Sequence, residues 1–206
     1  MAATNKLNGF IDPRFTYNFY HGPDVIGDIE AARQYGLNCV ALAHLATKHL
    51  FQYSLPSSLH CAELYVNTLH FGVIPDIDNI EQGDLVWFGL ADAAIQPEEF
   101  EPQYQDGALI NWRDFPVKHV GIHTGETALD DPLILHATHL AGTNVVWPLS
   151  RFSDYRRYQK IYSIRRLKES FKTTDCMVPA DGFEPPTLCS EDRCSNPLSY
   201  AGLYIF

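Results

Sequence analysis

The sequence predicts an α+β domain in which N-terminal helices pack on an antiparallel β-sheet. Three observations carry that expectation. Helical periodicity comes first: Val40, Ala43, Leu45, Ala46 and Leu50 form one broad apolar face. Extended segments follow, as short apolar runs separated by Gly, Asp, Asn or Pro. The chain has 206 residues, 46% hydrophobic and 13% aromatic, which is enough for one sizeable core and too apolar for a disordered chain.

Residues 1–25 are rich in Gly, Pro, Asn and aromatics and read as an irregular arm lying on the domain. Ile26–Tyr35 reads as a short helix that Gly36 ends. Cys39–Phe51 is the strongest helix, with Asn38 as its N-cap. Ala62–Leu69 reads as a further helix, with Cys61 packed in the core as a small hydrophobe. Gly83–Gly89 is a strand entered through a Gly-Asp turn, and Val117–Thr124, Leu133–His139, Thr143–Trp147 and Arg157–Arg166 are further strands. Residues 90–116 are polar and acidic and read as a long surface loop of the kind that often serves function. The expected organisation is one catalytic domain over residues 1–173 and an irregular tail over 174–206.

The tail has an unusual feature. Gly182-Phe183-Glu184-Pro185 can be coded by GGA-TTC-GAA-CC, whose reverse complement carries the T-arm sequence of a transfer RNA gene. Leu198-Ser199-Tyr200 can be coded by the complement of a D-arm sequence. The expectation is that residues from about 180 onward translate a tRNA gene read backwards. Cys189 and Cys194 are therefore not read as a metal or redox pair.

The formal charge of −10 argues against a nucleic-acid partner. No run approaches the ~18 apolar residues of a membrane-spanning helix. The start lacks the apolar stretch of a signal peptide, and the five cysteines have no disulfide-framework spacing. A cytoplasmic protein is expected, with oligomeric state left open.

The chemistry-bearing residue is Cys39. It stands at the first turn of its helix, where unpaired N–H groups and the helix dipole favour a thiolate. Histidines follow far downstream in Lys118-His119-Val120-Gly121-Ile122-His123 and Leu133-Ile134-Leu135-His136-Ala137. Distant Cys and His residues in this order make a nucleophile and its base candidates. Strand alternation puts His136 and His139 on opposite faces, so one of them is expected at the site. Zinc is the rival chemistry, given nine histidines. His119 and His123 cannot share an ion on a straight strand, however. Four strand residues span ~13 Å, whereas zinc–nitrogen bonds are ~2.0–2.1 Å.

The order Asn38-Cys39, Leu55-Pro56, Gly83-Asp84-Leu85-Val86-Trp87-Phe88, His119-Val120-Gly121-Ile122 and Ile134-Leu135-His136-Ala137 resembles the NlpC/P60 cysteine peptidases, a papain-like family. The resemblance covers roughly residues 35–150. It implies a papain-like fold, with Cys39 as nucleophile, His119 as general base and His136 as the polar residue that orients the base. It also implies an upstream tyrosine at the oxyanion site. Tyr20 is matched to it, with Tyr35 as the other candidate, and Asn38 joins Tyr20 as the expected oxyanion or substrate-binding set.

Asn38, Val40 and Ala41 replace the family's usual Asp, Ser and Gly. Gln82 replaces a Pro, and His123 stands where an aromatic is common. Many family members cleave peptidoglycan stem peptides at γ-D-glutamyl-diamino acid bonds, so a small peptide or peptidoglycan fragment is the expected substrate, with no metal or other cofactor. An Asn-Cys pair also occurs in lecithin-retinol-type acyltransferases, but there the His segment precedes the Cys, whereas here it follows by 80 residues. A thioesterase or acyltransferase on the same scaffold and a catalytically silent binding domain are the alternatives.

Overall fold

The structure is a computed structural model that describes residues 6–168 apart from 24, 57, 69, 70, 75 and 107. Contacts divide the chain into residues 1–173 and 174–206. The tail, with its proposed tRNA-gene origin, lies outside the described residues.

Among the described residues three α-helices precede the strands. Asp28 caps α1 (Ile29–Tyr35) by accepting from the Ala31 N–H at 2.8 Å. Gly36 ends the helix at φ +77°. A Cβ there would stand 2.6 Å from Thr16 Oγ1 and 2.7 Å from the Thr16 carbonyl, so the arm can lie against the helix end only because residue 36 has no side chain. Two residues later α2 begins (Cys39–Phe51). It ends at Gln52 in the left-handed conformation, whose N–H bonds the Lys48 carbonyl. The short α3 spans Cys61–Asn67.

The sheet has six antiparallel strands in the order β1 (Gly72–Val73), β8 (Lys160–Arg166), β2 (Leu85–Gly89), β5 (Val117–Ala128), β6 (Asp131–Thr138) and β7 (Thr143–Pro148). The acidic segment between β2 and β5 carries its own small hairpin, β3 (Tyr104–Gln105) with β4 (Ala108–Leu109). Phe100, Leu109 and Phe115 anchor it in the core.

Both faces of the central strands are covered. Leu85, Trp87, Val120, Ile122, Leu135 and Ala137 join the helices in one core. Val86, Phe88, Ile134 and Ile164 face the other way, onto Trp147, Phe152 and Tyr158. Burial on two sides explains why Leu85-Val86-Trp87-Phe88 is continuously apolar rather than alternating.

Asp84, at the turn into β2, is 2% exposed and takes both ends of the Arg166 guanidinium at 2.9 and 2.8 Å, while also accepting from the Glu81 N–H at 2.8 Å. The Gly-Asp turn thus pins the end of β8. Among the described residues no helix is long and apolar enough to cross a membrane.

Candidate active site

Asn38 sets the position of the thiol. Its Oδ1 accepts from the Ala41 N–H at 2.9 Å and closes the first turn of α2. Its Nδ2 donates to the carbonyls of Phe19 at 3.1 Å and Leu59 at 3.3 Å. One amide therefore ties the arm, the α2 N-terminus and the approach to α3 together. Both amide protons are engaged, so the side chain clamps the site and has no free donor for an oxyanion.

Cys39 follows at the first helical position, 8% exposed. Several contacts hold its thiol well below the usual range. The largest is a hydrogen bond with Cys61; the charge and hydrogen bond of His119 and the Val120 N–H add to it, against the opposing cost of burial. The two sulfurs are 3.5 Å apart. Cys61 moves the opposite way: its bond to Cys39, its burial and the Cys39 charge all push that thiol up. Cys61 packs in the core, as expected, and is also the immediate neighbour of the candidate nucleophile, lining the same cleft.

His119 comes from β5 and His136 from β6. His119 Nε2 and His136 Nδ1 lie 2.9 Å apart. His136 is fully buried, its centroid 4.4 Å from that of Trp147 and 4.7 Å from that of Phe152. Burial, then the charges of His119 and Arg151, push it well below the usual imidazole range, so it stays neutral. The tautomer in which His136 accepts at Nδ1 makes His119 the donor through Nε2–H. The Nδ1 lone pair of His119 is then the one left for Cys39, the tautomer a base needs. The His119 ring is boxed by Tyr158, with centroids 4.5 Å apart, and that phenol is anchored on Thr138 Oγ1 at 3.1 Å. Gly121 sits between these elements: a Cβ there would come within 2.4 Å of Ile134 Cγ2, so its lack of a side chain lets β5 and β6 approach.

The cleft around Cys39 is narrow, about 60 Å³. Tyr17, Lys118, His139 and Arg157 contribute to its walls, and Trp112 covers His60 in a stack at 4.1 Å. Tyr20 is 75% exposed, packs edge-on against Phe19 and is not among the residues lining this cleft. Tyr17, three residues earlier, does line it. A parallel bridge to Leu37 and a bond from its N–H to the Gly142 carbonyl at 2.8 Å hold it there. Burial and the Cys39 charge raise the Tyr17 phenol, which keeps its proton.

His139 also reaches the cleft, although His136 occupies the inner position. β6 ends at Thr138, so strand alternation no longer governs residue 139. His123 lies away from this cleft, 4% exposed, and neither ring nitrogen has a hydrogen-bond partner. Among the described residues no group of three His, Cys, Asp or Glu side chains is placed to hold a metal ion.

No family model and no curated protein matches the sequence. Two solved structures are similar. NlpC2 from Trichomonas vaginalis is 18% identical with a TM-score of 0.46, the match covering 84% of this chain and 49% of that one. NlpC1 from Trichomonas vaginalis is 19% identical with a TM-score of 0.39, covering 68% of this chain and 36% of that one. The chain therefore spans about half and about a third of the lengths of these two proteins.

Proposed function

We propose that the protein is a thiol hydrolase of amide bonds that works through an acyl-enzyme on Cys39. The observation that carries this reading is the relay at the start of α2: the Cys39 thiol, His119 beside it on the same cleft, and His136 Nδ1 2.9 Å from His119 Nε2. In that relay Cys39 attacks the carbonyl carbon. The oxyanion takes hydrogen bonds from the uncapped N–H groups of the first turn and from the protonated Tyr17 hydroxyl. Tyr17 takes the role expected of Tyr20, and Asn38 holds the frame. His119 gives its proton to the leaving amine. It then takes one from the water that releases the acid, with His136 fixing its ring throughout.

A peptidoglycan-type stem peptide cut at a γ-D-glutamyl-diamino acid bond is the substrate this reading favours. Lys118 and Arg157 on the cleft wall support an acidic peptide, because such a substrate presents carboxylates beside the scissile bond. The Lys118 ammonium donates to the Arg113 carbonyl at 2.5 Å.

The test is incubation of the full chain with synthetic γ-D-glutamyl-diamino acid peptides, with products read by mass spectrometry. The expected result is cleavage that survives EDTA and falls at least ~10³-fold in Cys39→Ala at unchanged melting temperature. Cleavage that persists in a folded Cys39→Ala variant overturns the mechanism. Turnover of thioester substrates with no peptide cleavage replaces the hydrolase with an acyltransferase or thioesterase.

A further inference from the structure

Cys61 is a buried thiol in the cleft: its hydrogen bond helps hold Cys39 toward the thiolate, but its own sulfur takes no covalent part in the hydrolytic reading. Its sulfur is 3.5 Å from that of Cys39, both thiols are free, and both line the same opening. The two cysteines begin α2 and α3, so each side chain sits at a helix end rather than within a packed turn. A disulfide needs ~2.05 Å between sulfurs, which asks for about 1.5 Å of closure shared by two side chains. Cys39 and Cys61 line a cleft of about 60 Å³, a volume that fits a molecule the size of a peroxide.

We propose that Cys39 and Cys61 are a redox pair: a hydroperoxide oxidises Cys39 to a sulfenic acid, and Cys61 resolves it to a disulfide that closes the site reversibly. The loss of activity in this scheme rests on Cys39 being the hydrolytic nucleophile; the sulfur chemistry itself does not. In the first step the Cys39 thiolate attacks one peroxide oxygen. The S–O bond forms, the O–O bond breaks, and the departing hydroxide or alkoxide takes a proton from His119 or water. In the second step Cys61 releases its proton to solvent and attacks the Cys39 sulfur. The S–S bond forms, the S–O bond breaks, and hydroxide leaves as water. The sulfur pair loses two electrons and the peroxide gains them; a dithiol reverses the change.

The sequence of events is built into the pair. While Cys39 is charged, that charge and the shared hydrogen bond keep Cys61 protonated and idle. A neutral sulfenic acid removes that charge and frees Cys61 to attack. Without a resolving thiol the sulfenic acid goes on to an irreversible sulfinic acid.

The experiment treats the reduced full chain with hydrogen peroxide, blocks remaining thiols with N-ethylmaleimide, and maps peptides without reduction. The expected product is one cross-linked pair carrying Cys39 and Cys61. Hydrolysis drops at least about tenfold and returns on dithiothreitol. In Cys61→Ala and Cys61→Ser, Cys39 ends as a sulfinic acid and dithiothreitol restores nothing. Native protein in which Cys39 becomes a sulfinic acid while Cys61 carries maleimide overturns the proposal, as does linkage of Cys39 to Cys176, Cys189 or Cys194. The two readings fail separately. A Cys39–Cys61 link in a protein that cleaves nothing leaves the pair standing and removes the hydrolase. Cys39-dependent cleavage that peroxide does not touch does the reverse.

Discussion

Replacing His119 by Phe should turn Cys39 from a fast thiol at neutral pH into a slower one, without slowing it at high pH. The ring is boxed by Tyr158, Phe88 and Phe152, with centroids 4.5 to 6.4 Å away, so Phe keeps the packing while removing the charge and the hydrogen bond. The Cys61 bond and the Val120 N–H remain, and so does the burial that opposes them.

A thiol at its ordinary value of 9.0 is only about 1% thiolate at pH 7. Full return to that value is the upper bound, because the Cys61 bond and the Val120 N–H persist: at most about 100-fold in thiolate is lost relative to a fully ionised Cys39. The more basic thiolate then regains about 8-fold in intrinsic nucleophilicity, so alkylation at pH 7 should be slower by up to about tenfold. At pH 10 both proteins are thiolate and the ratio falls to about one or below.

The assay is iodoacetamide labelling across pH, read at Cys39 by mass spectrometry, with melting curves to show that both proteins are folded. Cys61 is the internal control and stays unlabelled at pH 7, because its bond to Cys39, its burial and the Cys39 charge keep it protonated. A rate ratio that does not change with pH would refute the reasoning, since an electrostatic partner must lose its effect once the thiol is fully ionised. So would equal labelling of Cys39 and Cys61 at pH 7.

Three further outcomes follow from the geometry. His136→Phe leaves the His119 Nε2–H buried without an acceptor, an expense of roughly 1–3 kcal/mol that frees the ring to adopt the wrong tautomer. Peptide cleavage should fall about 10- to 100-fold, less than for His119→Phe, with partial rescue in His136→Gln; an undiminished rate in the Phe variant removes His136 from the relay. Asp84→Ala removes two of the Arg166 hydrogen bonds and the acceptor of the Glu81 N–H, while Glu81 and the Asn79 carbonyl still hold the guanidinium, so urea unfolding should show a loss of about 2 kcal/mol, and no measurable loss contradicts the pinning role. His123→Phe removes two buried nitrogens that have no partner, so it should keep activity and raise stability by about 1 kcal/mol; a collapse of activity at unchanged melting temperature would give His123 a task this geometry does not contain.

The α2 helix was legible to the residue, because Asn38 is a strong cap and the apolar face runs unbroken to Phe51. The strands were legible wherever burial imposed a pattern. β5 outruns its expected end at Thr124 because residues 125–128 form an exposed hairpin extension with no apolar alternation to betray it. The two-residue β1 on the sheet edge and the β3–β4 hairpin are too short to leave a periodic signal. In the site, Asn38 was legible as the cap, and the strands that carry His119 and His136 were legible from their apolar runs. Tyr17 and Tyr20 stand in a segment without periodicity, and the bridge to Leu37 that holds Tyr17 on the cleft leaves no signal in the sequence.

Cys61 shows where sequence reasoning stops for a physical reason. A small thiol at the start of an apolar helix has the same local pattern whether it fills a core or faces a cleft. What separates the two cases is the angle at which α3 returns to α2 across the intervening loop. The Asn38 amide bonds the Leu59 carbonyl two residues before Cys61 and so ties the approach to α3 to the start of α2. The same clamp that presents the thiol of Cys39 therefore also delivers the second sulfur to it. Loosening the clamp should separate both effects from the fold: in Asn38→Asp the N-cap acceptor survives, but the donors to Phe19 and Leu59 are lost. Helix α2 should then persist by circular dichroism while peroxide-driven Cys39–Cys61 coupling and Cys39 reactivity fall together. Coupling that stays intact while reactivity falls would mean that packing of α3, and not the Asn38 amide, positions Cys61.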